Sequence, residues 1–185
     1  INVVADFYKS SDTSHIKMIY DFAVKKGLIK EIVEFIKERV PYVENIERTA
    51  DDIYVTLSHN KKSLPLSSMG DGFISLLRLG FLVALSRRGV IIWEEPENSL
   101  HPKFIDILAE AIIHYSKDVQ FFIATHSLDL VNYILEKAEN NERLKDVNII
   151  RLHYRKDTKN IEVETLNGKE AKEEIDEIGA DLRIT

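Results

Sequence analysis

Apolar residues in this chain recur with different periods in different stretches, and the periods predict the elements. Val90, Ile91, Ile92 and Trp93 form a continuous apolar run ended by Glu94, Glu95 and Pro96. Such a run predicts a short strand buried on both faces, as in a parallel sheet. Val119 to Thr125 predicts a second buried strand. Between them, Ile105, Leu108, Ala109, Ile112 and Ile113 recur at helical spacing over Pro102 to Tyr115. Strand, helix and strand with one crossover make a βαβ unit, so the two strands are expected to run parallel. Pro96 stops the first strand by removing a backbone donor. Asn98 or Ser99 is placed to cap the helix that Pro102 begins.

The flanks follow the same logic. Asn2 to Phe7 is a short apolar start, an edge strand or the tail of a longer element. Ser14 caps a helix carrying Ile16, Ile19, Tyr20, Ala23 and Val24, which Gly27 weakens or ends. Leu28, Ile32, Phe35 and Ile36 mark a second helix that stops before Pro41. Ile53, Val55 and Leu57 alternate with polar or amphipathic residues, as in a half-buried strand. Phe73 to Ser86 is apolar almost all round and predicts a buried helix. Ser127 to Ala138 is helical, Val147 to Tyr154 and Ile161 to Thr165 pair as a hairpin, and Lys169 to Ile178 closes the chain as an acidic helix. The expected fold class is α/β, with mostly parallel core strands flanked by helices and a C-terminal hairpin. Residues 1–63 read as a helical and strand segment leading in, 64–139 as the core, and 140–185 as a hairpin and helix of the same domain.

Composition narrows the function. The 185 residues are 44% hydrophobic and 30% charged, as in a globular domain. A net charge of −6 gives no bulk argument for nucleic-acid binding. No apolar run approaches the roughly 20 residues of a membrane span. No signal-peptide pattern opens the sequence. The absence of cysteine excludes disulfides and thiolate metal sites, and fits a cytoplasmic protein. The sequence opens on Ile1, which leaves a processed piece or an excised domain open.

Three stretches carry candidate chemistry. Glu94 and Glu95 stand where a parallel strand ends, the place where open α/β sheets bind ligands; alone, the pair reads more readily as a surface turn with two solvated acids. Ser67-Ser68-Met69-Gly70-Asp71-Gly72 opens the buried helix with hydroxyls and backbone N–H groups, an anion-binding arrangement or simply a serine cap. Thr125-His126-Ser127 follows the second strand, where a histidine reaches a phosphate, holds a water or caps the next helix. His101, at the start of a helix, has a structural role by the same reasoning. His15, His59, His114 and His153 have no such setting.

The order of these pieces resembles the C-terminal half of an ABC-class P-loop ATPase domain. Among such domains it is most similar to the soluble, non-transporter ATPases related to the overcoming-lysogenization-defect and RecF-type families, which carry a Glu-Asn-Ser-Leu-His-Pro run after the Walker B strand. The resemblance covers Leu64 to Leu135. It implies an α/β P-loop NTPase fold and ATP and Mg²⁺ as ligands. Ser67, Ser68, Gly70 and Asp71 take signature-motif positions, with Met69 replacing a glycine and Asp71 a glutamine. Glu94 takes the metal-holding place, one methylene longer than the usual aspartate. Glu95 becomes the catalytic, water-polarising glutamate, Glu97 to His101 the D-loop, and His126 the switch histidine toward the γ-phosphate.

None of the seven glycines begins the pattern G-x-x-x-x-G-K-[ST] that cradles the β- and γ-phosphates. The resemblance places that P-loop N-terminal to the matching region, so a missing segment or a separate subunit is expected to supply it. It also implies a nucleotide-bound homodimer, no membrane partner, and an isolated chain without turnover. Nucleic acid or a protein partner stays open. The rival reading is a non-enzymatic ABC-like module that uses the fold for docking alone.

Overall fold

The computed structural model describes residues 3–6, 13–156 and 159–178, which fall into two compact units, 1–125 and 126–185. The first unit runs β1 (Val3–Asp6), α1 (Thr13–Lys26), α2 (Ile29–Arg39), β2 (Val43–Arg48), β3 (Ile53–Leu57), β4 (Ser63–Pro65), α3 (Asp71–Leu85), β5 (Val90–Glu94), α4 (Pro102–Tyr115) and β6 (Gln120–Ala124). The second runs α5 (Leu128–Asn140), β7 (Asn148–Arg155), β8 (Asn160–Asn167) and α6 (Gly168–Ile178).

The predicted βαβ unit is present. β5 and β6 pair in parallel, with Ile92 opposite Phe122 and Glu94 opposite Ala124. β1 adds a third parallel strand on the other side of β5, so the apolar start of the chain is an edge strand. The expectation that β5 and β6 are buried on both faces is corrected. Ile91 and Trp93 are buried, but Ile92 is 36% and Phe122 51% exposed, and Val3 on β1 is also exposed. Successive strand residues point to opposite faces, and among the described residues one face of this sheet stays open.

Buried apolar surface gathers around α3. Every residue from Gly72 to Ala84 is buried, Ser75 and Arg78 included. Each fully buried Phe or Leu is worth about 1.5–3 kcal/mol, which makes α3 the hydrophobic axis of the unit. The Tyr20 and Phe81 rings meet in a T-shaped contact with centroids 5.9 Å apart. Gly80 lets the Phe35 ring approach so closely that a Cβ there would lie 2.8 Å from it. Helices α1, α2 and α4 all pack on α3.

α1 ends where Gly27 takes φ +70°, the left-handed cap that glycine adopts without strain. Two details of α1 differ from expectation. Ser14 lies inside its first turn rather than before it. The buried stripe is Ile16, Tyr20 and Ala23, while Val24 is exposed.

A second sheet, β2-β3-β4, is antiparallel. β3 matches its predicted span, but β2 and β4 have no counterpart in the sequence reading. In β2 the pairing slips between Val43 and Asn45. That bulge turns Val43 and Ile46, three residues apart, both inward, which erases the period-two signal.

In the second unit, Leu135, Leu166 and Ala171 form a core joined by Leu128, Val131, Leu144, Val147, Ile149 and Ile175. β7 and β8 form the expected antiparallel hairpin, with Leu152 opposite Val163 and Tyr154 opposite Ile161. Arg151 is ion-paired to Glu164 at 2.8 Å and Glu174 at 3.1 Å. The even-numbered residues of β7 and their partners, Ile150, Leu152, Tyr154, Ile161 and Val163, are exposed. Among the described residues no helix is long and apolar enough to cross a membrane.

Candidate functional site

The site grows from the carboxyl end of β5. Glu94 is the last residue of that strand and is exposed. Glu95 leaves the sheet with φ +43°, a left-handed conformation that non-glycine residues rarely adopt. Its N–H donates to the Ala124 carbonyl at 2.8 Å, one hydrogen bond beyond the last strand pair. The Glu95 carbonyl accepts from Asn98 N–H at 3.0 Å, closing the four-residue turn Glu95-Pro96-Glu97-Asn98 with proline at its favoured second position. Leu100 N–H then donates to the Glu97 carbonyl at 3.0 Å, and Ser99 is again left-handed at φ +63°.

This turn feeds α4. Its N-cap is His101, whose Nδ1 accepts from Lys103 N–H at 3.2 Å, with Pro102 at the first helical position. The expected cap at Asn98 or Ser99 is therefore corrected: both lie too far back in the turn, and the imidazole supplies the acceptor. The structural role expected of His101 is the one it has.

Inside the turn, Pro96 and Glu97 are buried while Asn98 and Ser99 are exposed. The Thr125 hydroxyl donates to Glu97 Oε1, tying the turn to the residue after β6. Sequence reasoning gave neither Glu97 nor Thr125 a role of its own. A carboxylate among Asn, Ser and Pro reads as solvated, and nothing in the spacing announces its burial.

The signature-like turn is built differently. Leu66–Ser68 is a single 3₁₀ turn, with Met69 N–H donating to the Leu66 carbonyl at 3.0 Å. Gly70 is the N-cap of α3, with extended backbone and no side-chain cap. Its carbonyl accepts from Phe73 and Ile74. Ser67, Ser68 and Gly70 are exposed and Asp71 is half-buried. Gly72 sits so close to Phe104 of α4 that a Cβ there would lie 2.4 Å from the ring. The starts of α3 and α4 are thus side by side, and the Ser67–Asp71 turn and the Glu95–His101 turn both lead into that junction.

His126 is exposed and opens the second unit, immediately before Ser127, the N-cap of α5. Ser127 Oγ accepts from Leu130 N–H at 3.2 Å, so the capping part of the Thr-His-Ser reading falls to the serine.

Among the described residues, no group of three or more His, Cys, Asp or Glu is gathered to hold a metal. Glu94 alone fits Mg²⁺ only in the way that ion is commonly bound, by one or two carboxylates together with phosphate oxygens and waters. Gly70 at the start of α3 is exposed, and the positive dipole end of the helix there suits an anion.

A family model described as "AAA domain, putative AbiEii toxin, Type IV TA system" matches residues 4–132. A protein of Methanocaldococcus jannaschii, MJECL11, is 27% identical over 117 residues, which cover 62% of this chain and 99% of that protein. Among solved structures, a chain from work on ATP-driven dimerization and DNA-stimulated activation of SMC ATPases superposes with a TM-score of 0.61 at 15% identity, covering 88% of this chain and 98% of that one. The Smc head domain of Pyrococcus furiosus, with an extended coiled coil and bound to the C-terminal domain of ScpA, gives 0.57 at 17% identity over 86% of this chain and 39% of that chain. The SMC head domain of Thermotoga maritima gives 0.56 at 16% identity over 89% of this chain and 52% of that chain. At these identities the likeness is one of fold. The chain spans about half or less of the two head-domain chains.

Proposed function

The chain belongs to the AAA-domain family matched over residues 4–132, and on that premise we propose that it is the C-terminal part of an ABC-class ATPase that hydrolyses ATP at a composite, dimeric site. Glu95 polarises the attacking water, Glu94 holds Mg²⁺ with the nucleotide phosphates, and His126 contacts the γ-phosphate. Ser67, Ser68, Gly70 and Asp71 present the start of α3 to ATP bound by a second copy. Bound Mg²⁺ supplies charge neutralisation on the transferred phosphoryl group, and the protein's share is positioning and oriented donors.

The observation that carries this reading is the paired carboxylates at the carboxyl end of β5, with Glu95 pinned to Ala124 in a left-handed conformation. Strain of this kind persists where the surroundings over-determine it, and functional sites are where it collects. The open sheet face supports the further requirement for a P-loop from outside these residues. Parallel sheets are normally covered on both faces, yet here Val3, Ile92 and Phe122 are exposed. Dimerisation and a cytoplasmic location belong to the same proposal. The chains in the SMC work are described as dimerizing with ATP and activated by DNA, which makes DNA a partner to test.

In the complete ATPase, Glu95→Gln is expected to lower hydrolysis by about 10²–10⁴-fold while ATP binding persists, because the amide keeps the shape and loses the charge. Glu94→Gln weakens the Mg²⁺ dependence instead. Wild-type turnover in Glu95→Gln would sink the assignment. Calorimetric titration of the 185-residue chain with Mg-ATP is expected to give weak binding and no turnover. Micromolar affinity with steady hydrolysis would mean that a phosphate cradle of another kind lies within it.

A further inference from the structure

Glu97 is a buried carboxylate that this reading leaves without a task. It is 9% exposed, lies two residues past Glu95 in the same turn, and takes the Thr125 hydroxyl on Oε1. Its Oε2 is buried without a hydrogen-bond partner among the described residues. A carboxylate loses far more on leaving water than a hydroxyl or an amide, and the exposed Asn98 and Ser99 beside it show that this loop has solvent to offer. Something other than its own solvation keeps Glu97 inside.

We infer that Glu97 is a positioning residue for Glu95: by gripping Thr125 beyond the end of β6, it holds the turn in which Glu95 keeps its left-handed backbone, and so sets the direction in which the Glu95 carboxylate leaves the chain. This rests on the reading of Glu95 as the water-polarising group and deepens it. Two hydrogen bonds help to fasten the turn to the end of β6. One is the main-chain bond from Glu95 N–H to the Ala124 carbonyl. The other is the Thr125–Glu97 side-chain bond. Loss of the second loosens the turn and lets Glu95 relax toward φ < 0, where a residue with a Cβ is more stable, and its Cα–Cβ bond turns away from its present direction.

The test has two readouts. The first is amide exchange in the 185-residue chain, which needs no nucleotide. In Glu97→Ala and in Thr125→Val, the Glu95 amide is expected to exchange at least about tenfold faster, while amides of α3 keep their protection. In Glu97→Gln it stays within about threefold of wild type, since the amide oxygen accepts the same hydroxyl. Thr125→Val, close to isosteric, covers the case in which Glu97→Ala unfolds. Unchanged exchange at Glu95 in both Glu97→Ala and Thr125→Val would overturn the inference.

The second readout is turnover in the complete ATPase. Glu97→Ala and Thr125→Val lower kcat about 10–100-fold with KM for ATP within about twofold, the signature of a displaced catalytic group. Glu97→Gln restores most of the rate, and the double variant falls no further than either single one. If Glu97→Gln is as slow as Glu97→Ala, the carboxylate acts by charge and the positioning role is overturned. Turnover that depends on Glu95 but ignores Glu97→Ala overturns the inference alone. Turnover indifferent to Glu95→Gln overturns the ATPase assignment, whatever the exchange experiment shows.

Discussion

The two turns that meet at the α3–α4 junction solve the same problem, starting a helix beside the end of a sheet, in opposite ways. The Ser67–Gly72 turn is relaxed. Gly70 has ordinary extended dihedrals, nothing lies within 4 Å of where its Cβ would be, and no side chain caps the helix. The Glu95–His101 turn is strained and tied. It has two left-handed non-glycine residues, a buried proline, a buried carboxylate and an imidazole cap. A loop that must receive a ligand from outside gains from open, unspent N–H donors. A loop that must aim one carboxylate gains from being over-determined. Under the proposed function the contrast corresponds to separate tasks for the two turns, and it can be broken experimentally.

The largest expected effect comes from asking whether the open turn works on a neighbour's nucleotide. One full-length variant lacks the lysine of the P-loop, and a second carries Ser68→Arg. Each homodimer is expected to be inactive, since both of its sites lack a required part. On mixing, half of each heterodimer's sites regain an intact P-loop facing an intact Ser68, so hydrolysis reappears, up to one site per dimer. Subunit exchange is verified by pull-down of a tag. Exchange without recovery would place Ser68 in its own chain's site or make hydrolysis depend on both sites, and a mixture of each variant with wild type separates the two.

Next in size is the packing beneath both turns. Gly72→Ala puts a methyl group 2.4 Å from the Phe104 ring. Overpacking of this kind costs about 1–3 kcal/mol, to be read from urea unfolding of the chain. Phe104→Ala creates its own cavity, yet in the double variant the two losses are expected to add to less than their sum, because each relieves the other. Strict additivity would show that α3 and α4 do not depend on this contact.

The sequence made the βαβ unit legible because its signals are local: apolar runs, a helical stripe, and a proline at the end of β5 and another at the start of α4. It made the position of Glu94 and Glu95 at a strand end legible, because an apolar run closed by Pro96 marks that end. It did not reveal β2, since a bulge at Val43–Asn45 removes the alternation that betrays a strand. It overstated the burial of β5, because four apolar residues in a row look the same whether both faces are covered or one face is open. The roles of the glycines were also hidden. Gly70 and Gly72 look alike in sequence, but only Gly72 is required by packing, through a phenylalanine 32 positions away. The burial of Glu97 likewise depends on Thr125, 28 residues on. Long-range partners, rather than propensities, decide such positions.

The smallest expected effect sharpens the comparison most. Gly70 is the N-cap of a long buried helix, and its φ of −67° and ψ of 158° suit any residue. Serine at an N-cap accepts a hydrogen bond from an N–H of the first turn and is more favourable than glycine there by a few tenths of a kcal/mol. It also gives up less backbone entropy on folding, worth about 0.4–1 kcal/mol when the native dihedrals are compatible. Gly70→Ser is therefore expected to stabilise the chain by roughly 0.5–1 kcal/mol, a rise of about 1–4 °C in Tm for a protein of this size. The same side chain fills the space in front of the first-turn N–H groups and occupies one of them. If those donors serve an incoming phosphate, the more stable variant is the slower ATPase, with turnover falling while the Tm rises. A Gly70→Ser protein that gains stability and keeps full turnover would leave the open turn with no ligand to receive, and the contrast between the two turns would then be one of folding alone.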